Sequence, residues 1–211
     1  MNSASDAVAF AGSGSNPFST RFTRPGALPF HFSTDASAPR SVGAVADRFF
    51  DSGRRGELIG RHGSGKTTLL LELAEELRRH GESVRQFTLR GGQRSCVGLF
   101  EAARGCPPCV TIAVDGCEQL AWRRQWWLMW LSRRRKFGLL VTGHRSLGLP
   151  TLYRCRTSPA LAKALAASLT RQGPTVLPAA EIEAAFARRR GNLREVWFEL
   201  YDAIDRRRRT G

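Results

Sequence analysis

The sequence contains no apolar run long enough to cross a lipid bilayer, which needs about 20 residues. One of its longest apolar runs covers only residues 126–131. The N-terminal residues also lack the combination of basic residues, an apolar stretch and a small-residue cleavage site that marks a secretion signal. These absences argue against the common membrane and secreted classes, and we expect a cytoplasmic protein with no membrane partner.

Acidic residues are scarce beside basic ones. The 211 residues include 18 Asp and Glu against 33 Lys and Arg, and the net charge is +15. Such a charge indicates either contact with DNA, RNA or another polyanion, or an arginine-rich composition on ordinary solvated helix faces. Both interpretations stay open. The 42% hydrophobic content is sufficient for a core, and the length suits one α/β domain with a small appendage.

Cysteine is too sparse for a standard zinc site. Cys106 and Cys109 have the C-x-x-C spacing, but the sequence offers no matching second pair of cysteines or histidines. We therefore interpret the five cysteines as small thiols near a strand of a protein in a reducing compartment.

The most informative stretch is 60–67, which fits the phosphate-binding loop pattern G-x-x-x-x-G-K-[ST] at every required position. Glycines allow successive backbone N–H groups to face phosphate oxygens, the lysine reaches the β- and γ-phosphates, and the threonine hydroxyl can ligate Mg²⁺. We predict that a nucleoside triphosphate, with ATP favoured and GTP not excluded, binds through Gly60, Arg61, His62, Gly63, Ser64, Gly65, Lys66, Thr67 and Thr68.

The sequence around this loop has the order that such a site requires. Residues 56–59 have the composition of a buried strand, and 67–77 are rich in good helix formers. Further along, apolar strand-like runs alternate with helical ones. Alternating strands and helices predict a parallel sheet covered on both faces, and we expect five strands at 56–59, 83–89, 109–114, 137–142 and 174–177.

Three regions follow from these elements. Residues 1–40 are rich in Ser, Ala, Gly and Pro, and we expect them to be partly disordered and partly draped over the core. Residues 41–178 form the predicted nucleotide-binding core. Residues 179–211 contain two predicted helices, which form a small C-terminal helical lid.

Asp115 is the second candidate in the site. It ends an apolar strand downstream of the loop, which is the position that brings a carboxylate to the magnesium shell. Capping of the following helix would place the same residue there, but beside the loop we favour the metal role. Thr67 and Asp115 are thus the predicted metal ligands.

The loop together with residues 114–120 resembles the P-loop ATPases of the AAA+ and STAND classes, over roughly residues 41–208. The resemblance implies a three-layer P-loop NTPase fold and ATP hydrolysis. Members of the AAA+ class carry Asp and Glu consecutively, whereas here Gly116 follows Asp115 and the next carboxylate is Glu118. This spacing is similar to the Asp-Gly-x-Asp variant of NACHT-type proteins. Glu118 becomes the candidate for water activation, and we expect slow hydrolysis.

The same resemblance implies sensor residues near the γ-phosphate. Thr142 and His144 lie where the class places its first sensor, and Arg194 lies at the start of the helix that carries the second. An arginine offered to a neighbouring subunit would be one of Arg145, Arg154 and Arg156. Together with Lys66 and Glu118, the sensors make up the predicted catalytic set.

Trp122, Trp126 and Trp130 are spaced by four residues in a predicted helix at 119–135. Trp and Arg interleaved could bind nucleic acid, but we favour a buried face or a partner interface.

We expect an ATPase that acts as a switch or motor on an unknown protein partner or a second copy. The alternatives are a small-molecule P-loop kinase, with Arg154 and Arg156 in its lid, and a nucleic-acid-binding module with incidental ATPase activity.

Overall fold

A computed structural model describes residues 16–33, 38–89, 91, 96–171 and 177–210. The contacts between Cα atoms divide the chain into two compact units. The larger unit covers 28–156, and the smaller one combines 16–27 with the described residues after 156. The helices of the chain are α1 (Thr20–Thr23), α2 (Val42–Asp51), α3 (Lys66–Arg79), α4 (Val97–Arg104), α5 (Trp122–Arg135), α6 (Pro159–Thr170), α7 (Ala179–Arg188) and α8 (Leu193–Thr210).

The larger unit contains a sheet of five strands, and every strand pair in it is parallel. The sheet order is β2-β3-β4-β1-β5. The predicted α/β class and the five-stranded parallel sheet are confirmed. The strands are β1 (Arg55–Gly60), β2 (Ser83–Thr88), β3 (Val110–Asp115), β4 (Gly138–Gly143) and β5 (Thr151–Cys155).

The fifth strand differs from the predicted one. The structure places it at β5, which pairs with β1, whereas the sequence pattern favoured 174–177. Residues 174–176 lie outside the described residues. The sequence of β5 begins directly after Pro150 and mixes Tyr153 with the charged Arg154, so it lacks the apolar run by which β3 and β4 were recognised.

Helices cover both faces of the sheet. Because side chains alternate along a strand, Ala113 and Leu140 face the helices α2 and α3, while their neighbours face α4 and α5. The sheet is therefore the middle of three layers in this unit. The first core contains Phe49, Leu58, Leu69, Leu73, Leu77, Ala113 and Leu140, and the second contains Leu99, Phe100, Ile112, Val114, Leu128, Leu131, Leu139 and Val141.

A buried carboxylate fixes the connection between β4 and β5. Glu57 on β1 is 1% exposed. Its oxygens accept hydrogen bonds from the Ser146 hydroxyl (2.6 Å), the Leu147 amide (2.8 Å) and the Thr151 hydroxyl (3.2 Å). A buried carboxylate is stable only when such donors replace water. Glu57 thus ties β1 to the segment that follows His144.

The smaller unit is helical. α6 packs on α7 and α7 on α8, and the Phe18 ring stacks on Trp197 with centroids 5.6 Å apart. The two predicted C-terminal helices are present, and α8 begins where the Asn192 side chain accepts from the Glu195 amide at 3.5 Å. The contacts place the boundary between units after Arg156, so that α6 also belongs here, whereas the sequence pattern favoured a boundary after residue 178.

None of the helices in the described part of the chain is both long and apolar enough to span a bilayer.

Candidate functional site

The residues predicted to bind phosphate lie at the carboxyl end of the central strands. β3, β4 and β1 are neighbours in the parallel sheet. Their last residues, which are Asp115, Gly143 and Gly60, therefore lie at the same edge. Ligands of parallel α/β sheets bind at this edge. The loop leaves β1 at Gly60 and enters α3 through Gly65, whose φ of 88° lies in the left-handed region that favours glycine. The N-terminal N–H groups of α3 then face the loop and favour an anion.

Lys66 begins α3 and is only 9% exposed. Its Nζ donates to the carbonyl oxygens of Gly60 at 2.7 Å and Arg61 at 2.9 Å, and it lies 3.3 Å from the His144 Nδ1. Burial lowers the pKa of the Lys66 ammonium, and the carboxylate of Glu118 opposes that shift. A buried cation held mainly by neutral carbonyls favours an anionic ligand, because the ligand's charge would offset the lost water.

Asp115 forms the centre of the site. The Thr67 hydroxyl donates to its Oδ2 at 2.8 Å, and the Thr142 hydroxyl donates to its Oδ1 at 2.7 Å. Thr142, which is fully buried, also accepts from the Gly116 amide at 2.8 Å. Two hydroxyls on neighbouring elements thus orient one carboxylate beside the loop. Thr67 and Asp115, the predicted metal ligands, are brought together, while the predicted phosphate-sensing role of Thr142 stays a prediction.

Gly116 explains why no second carboxylate follows Asp115 directly. Its φ is 80°, and a Cβ at this position would lie 2.8 Å from the Leu89 carbonyl oxygen. A side chain there would therefore meet both backbone strain and a steric clash with backbone that cannot move aside. The chain then forms a short 3₁₀ turn at Cys117–Gln119, which carries Glu118.

His144 connects the loop to Glu118. Its Nδ1 lies 3.0 Å from the Gly60 carbonyl oxygen, and its Nε2 lies 3.0 Å from Glu118 Oε1, at ion-pair distance. The ring of His62 packs against that of His144, with centroids 3.8 Å apart. Burial lowers the pKa of His62, and the nearby His144 and Lys66 add to the effect. The predicted residues at 62, 66, 118 and 144 therefore form one contiguous group.

Three buried polar atoms of this group have no hydrogen-bond partner among the described residues, namely Ser64 Oγ, Glu118 Oε2 and His144 Nε2. Buried polar atoms without partners indicate a ligand or water that would satisfy them. No cluster of three or more His, Cys, Asp or Glu side chains suited to a metal occurs in the described ranges. Mg²⁺ needs no such cluster, since it commonly binds one or two carboxylates together with phosphate oxygens and water. The residues present fit magnesium and a triphosphate.

Arg194 is the one predicted site residue that belongs to the smaller unit. Its guanidinium lies 5.9 Å from the centroid of the Phe198 ring on α8. Arg145, Arg154 and Arg156, the candidates for an arginine offered to a neighbour, are all exposed in the larger unit. The roles assigned to these four arginines stay predictions.

An aromatic cluster beside the loop was only partly foreseen. Phe30 and Phe32 pack edge-to-face with Tyr153, at centroid distances of 5.5 and 5.4 Å. The Phe30 amide donates to Glu72 of α3 at 2.7 Å, and its ring closely approaches Gly65. This part of the N-terminal segment therefore packs on the larger unit. The high number of Phe residues in 18–32 indicated in the sequence that this segment packs on the protein. Nothing in the sequence indicated that Tyr153 would join the cluster.

Two thiols near the site are expected to be unreactive. Burial raises the pKa values of Cys117 and Cys155 to about 12. Since only the thiolate reacts, iodoacetamide at pH 8 should label the exposed Cys109 in the folded protein and leave Cys117 and Cys155 unlabelled. Peptide mapping by mass spectrometry measures this, with urea-unfolded protein, labelled at all five cysteines, as the control. Rapid labelling of Cys155 in the folded protein would contradict the packing described.

A scan of the chain against models of protein families and a search of curated proteins both found no match.

Proposed function

We propose that this protein is an ATP-binding P-loop ATPase of the AAA+/STAND type. Binding and slow hydrolysis of magnesium-ATP would act as a conformational switch or motor on a partner, either an unknown protein or a second copy of the chain, in the cytoplasm. The observation that carries the proposal is the pair of hydroxyl–carboxylate contacts from Thr67 and Thr142 to Asp115, directly beside the loop that holds Lys66. If the loop pattern matched by chance, these groups would not be expected to lie in contact.

Each group has a defined task in this proposal. The N–H groups of the loop and the first turn of α3 bind phosphate oxygens, and Lys66 adds a positive charge. Thr67 and Asp115 hold the magnesium ion, which withdraws negative charge from the phosphates when bound. Thr142 positions Asp115. Glu118 accepts a proton from the attacking water, and His144 lies beside it, with its Nε2 3.0 Å from Glu118 Oε1.

Slow turnover follows from the turn at Gly116. Phosphoryl transfer depends on the position of the group that orients the nucleophile. Here that group is two residues further along the chain than in proteins with consecutive Asp and Glu, and its Oε1 lies 3.0 Å from the His144 Nε2. We expect kcat for ATP to stay below about 10 s⁻¹, a typical value for enzymes.

Turnover assays with the Glu118→Gln variant test the assigned base. The variant should lower kcat by about 10²- to 10⁴-fold, the usual contribution of a general base, while ATP affinity stays within about threefold. Glu101→Gln, at an exposed position of α4, is the matched control and should keep full activity. Unchanged turnover in Glu118→Gln would show that this residue is not the base. If the unmodified protein does not hydrolyse ATP at all, the proposal is reduced to a switch that binds nucleotide without hydrolysing it.

A small-molecule kinase is the weaker proposal. A kinase of this kind needs a lid that covers the acceptor, and the connection between β4 and β5 is limited to residues 144–150, which Glu57 holds in place. Arg154, one of the arginines assigned to that lid, lies in β5 itself. Assays with ATP and GTP, in the presence of single-stranded DNA, duplex DNA or small acceptors, separate the alternatives. Phosphorylation of an acceptor would favour the kinase.

A further inference from the structure

Three tryptophans of α5 are exposed. Trp122, Trp126 and Trp130 have exposed fractions of 74%, 60% and 45%. The stripe is therefore not a buried face of this unit, because α5 uses Leu128 and Leu131 for the core instead, while the alternative of a partner interface stays a prediction. Leaving three indole rings in water is costly, since each aromatic side chain offers a large apolar area to bury. A function outside the core is needed to explain them.

The tryptophans lie between two groups of positive charge. Arg123 and Arg124 are at the start of α5, and Arg133, Arg134 and Arg135 are at its end, followed by Lys136. All of them are exposed, and α5 has no acidic residue. Within the part of the chain that the structure describes, none of these cations takes part in an ion pair. Unpaired cations at both ends of an aromatic row favour a polyanionic partner.

A cavity of about 750 Å³ lies against the first half of α5. Two arginines stack on rings at its wall. The Arg124 guanidinium lies 4.9 Å from the centroid of Phe100, and that of Arg104 lies 5.6 Å from Trp127. A guanidinium stacked on a ring keeps its N–H groups available for phosphate oxygens. The residues around the cavity include Phe100, Arg104, Trp122, Arg124, Trp126 and Trp127.

We propose that α5 and the adjoining cavity bind single-stranded nucleic acid, with bases stacked on Trp122, Trp126 and Trp130 and phosphates bound by the flanking arginines. Stacking on aromatic rings within a positively charged groove is how proteins bind single strands without sequence preference. Residues four apart on a helix lie on the same face and rise by about 6 Å, so the three tryptophans form one row along α5.

An acidic protein segment is the competing occupant. A helix that docks on another helix buries mainly aliphatic and aromatic side chains, with charged groups at the rim. The exposed large hydrophobic side chains of α5 are all tryptophan. Flat indole rings suit the faces of bases, and fixed arginine forks suit phosphate. The nucleic-acid proposal does not depend on the nucleotide site, so either can fail alone.

The test uses the full chain and a fluorescently labelled dT20 oligonucleotide, with anisotropy and intrinsic tryptophan fluorescence as the readouts. Binding should quench tryptophan emission. The triple variant Trp122→Ala/Trp126→Ala/Trp130→Ala should bind at least about tenfold more weakly, since a single stacked base commonly accounts for that much. Phe198→Ala, which removes an exposed aromatic from α8, is the matched control and should bind as the unmodified protein does.

Two further comparisons separate stacking from charge. An abasic oligonucleotide of the same length should bind about tenfold more weakly than dT20 and should not quench. The double variant Arg133→Ala/Arg134→Ala should reduce the magnitude of the slope of log affinity against log salt by about 1.4, because each of the two lost phosphate contacts contributes about 0.7. Arg78→Ala/Arg79→Ala on α3 removes the same charge and should change the slope less.

Several outcomes would overturn the proposal. Equal affinity for abasic and dT20 strands would show that bases do not stack on α5. Full affinity in the triple tryptophan variant, with its melting temperature unchanged, would do the same. Displacement of dT20 by a Glu-rich amphipathic peptide of higher affinity would assign the surface to a protein partner instead.

Discussion

Replacing Lys66 by alanine is expected to weaken ATP binding by about 10- to 150-fold and to leave the fold intact. Lys66 begins α3, and its ammonium contacts the carbonyl oxygens of the loop at Gly60 and Arg61. A charge-assisted hydrogen bond to a ligand accounts for about 1.5–3 kcal/mol, and 1.4 kcal/mol is tenfold in affinity. Isothermal titration calorimetry with magnesium-ATP measures the change directly.

Because Lys66 is buried, its replacement should change ATP binding with little effect on the stability of the fold. Its contacts are two carbonyl oxygens of the loop and the imidazole of His144, and they replace only part of the hydration that the buried ammonium has lost. The melting temperature of Lys66→Ala without nucleotide should therefore stay within about 4 °C of the unmodified protein, the shift that 1 kcal/mol produces in a chain of this size. Arg79→Ala, with the same charge change on the exposed end of α3, should bind ATP normally. Undiminished affinity in Lys66→Ala would refute the nucleotide site.

The second large effect is expected from Asp115→Asn. The substitution removes the one carboxylate that the Thr67 and Thr142 hydroxyls orient, and with it the proposed ligand of magnesium. Residues that merely support a metal ligand account for 10- to 100-fold in metal affinity or activity, so the loss of a ligand should exceed about 100-fold in hydrolysis. ATP affinity measured with magnesium should fall to the value measured with excess EDTA.

The asparagine variant is expected to fold. Its side-chain oxygen can still accept from one threonine, and its amide can donate to the hydroxyl of the other, since a hydroxyl both donates and accepts. Asp47→Asn, an exposed position on α2, is the control and should keep the magnesium dependence of ATP binding. If Asp115→Asn hydrolyses ATP at the original rate with the original magnesium dependence, this carboxylate has no part in the reaction.

The central part of the site was predictable because it depends on local sequence. The loop, the helix that begins at Lys66 and the apolar strand that ends at Asp115 each leave a signal within a few residues. The order of strands supplies the rest: β4 lies between β1 and β3, which brings Thr142 and His144 to the loop. The sequence indicated these two residues only through resemblance, and nothing in it showed that Thr142 would support Asp115.

Other features had no local signal because they depend on distant contacts. In the sequence Glu57 looks like an ordinary strand residue. Its role in holding the β4–β5 connection depends on three hydrogen-bond donors about ninety residues away along the chain. β5 was missed since only its pairing with β1 makes Thr151–Cys155 a strand. The tryptophan spacing in α5 favoured a buried face or a partner interface, and only the packing of Leu128 and Leu131 decides which side faces solvent.

The turn at Gly116 has a consequence for anyone who wishes to accelerate the proposed reaction. The obvious engineering step, Gly116→Glu, would recreate a consecutive Asp-Glu pair, yet its Cβ would collide with the Leu89 carbonyl oxygen. A faster hydrolase would first require a redesigned backbone between Asp115 and Glu118. The same clash would act against any natural variant with a side chain at position 116, since every such residue carries a Cβ.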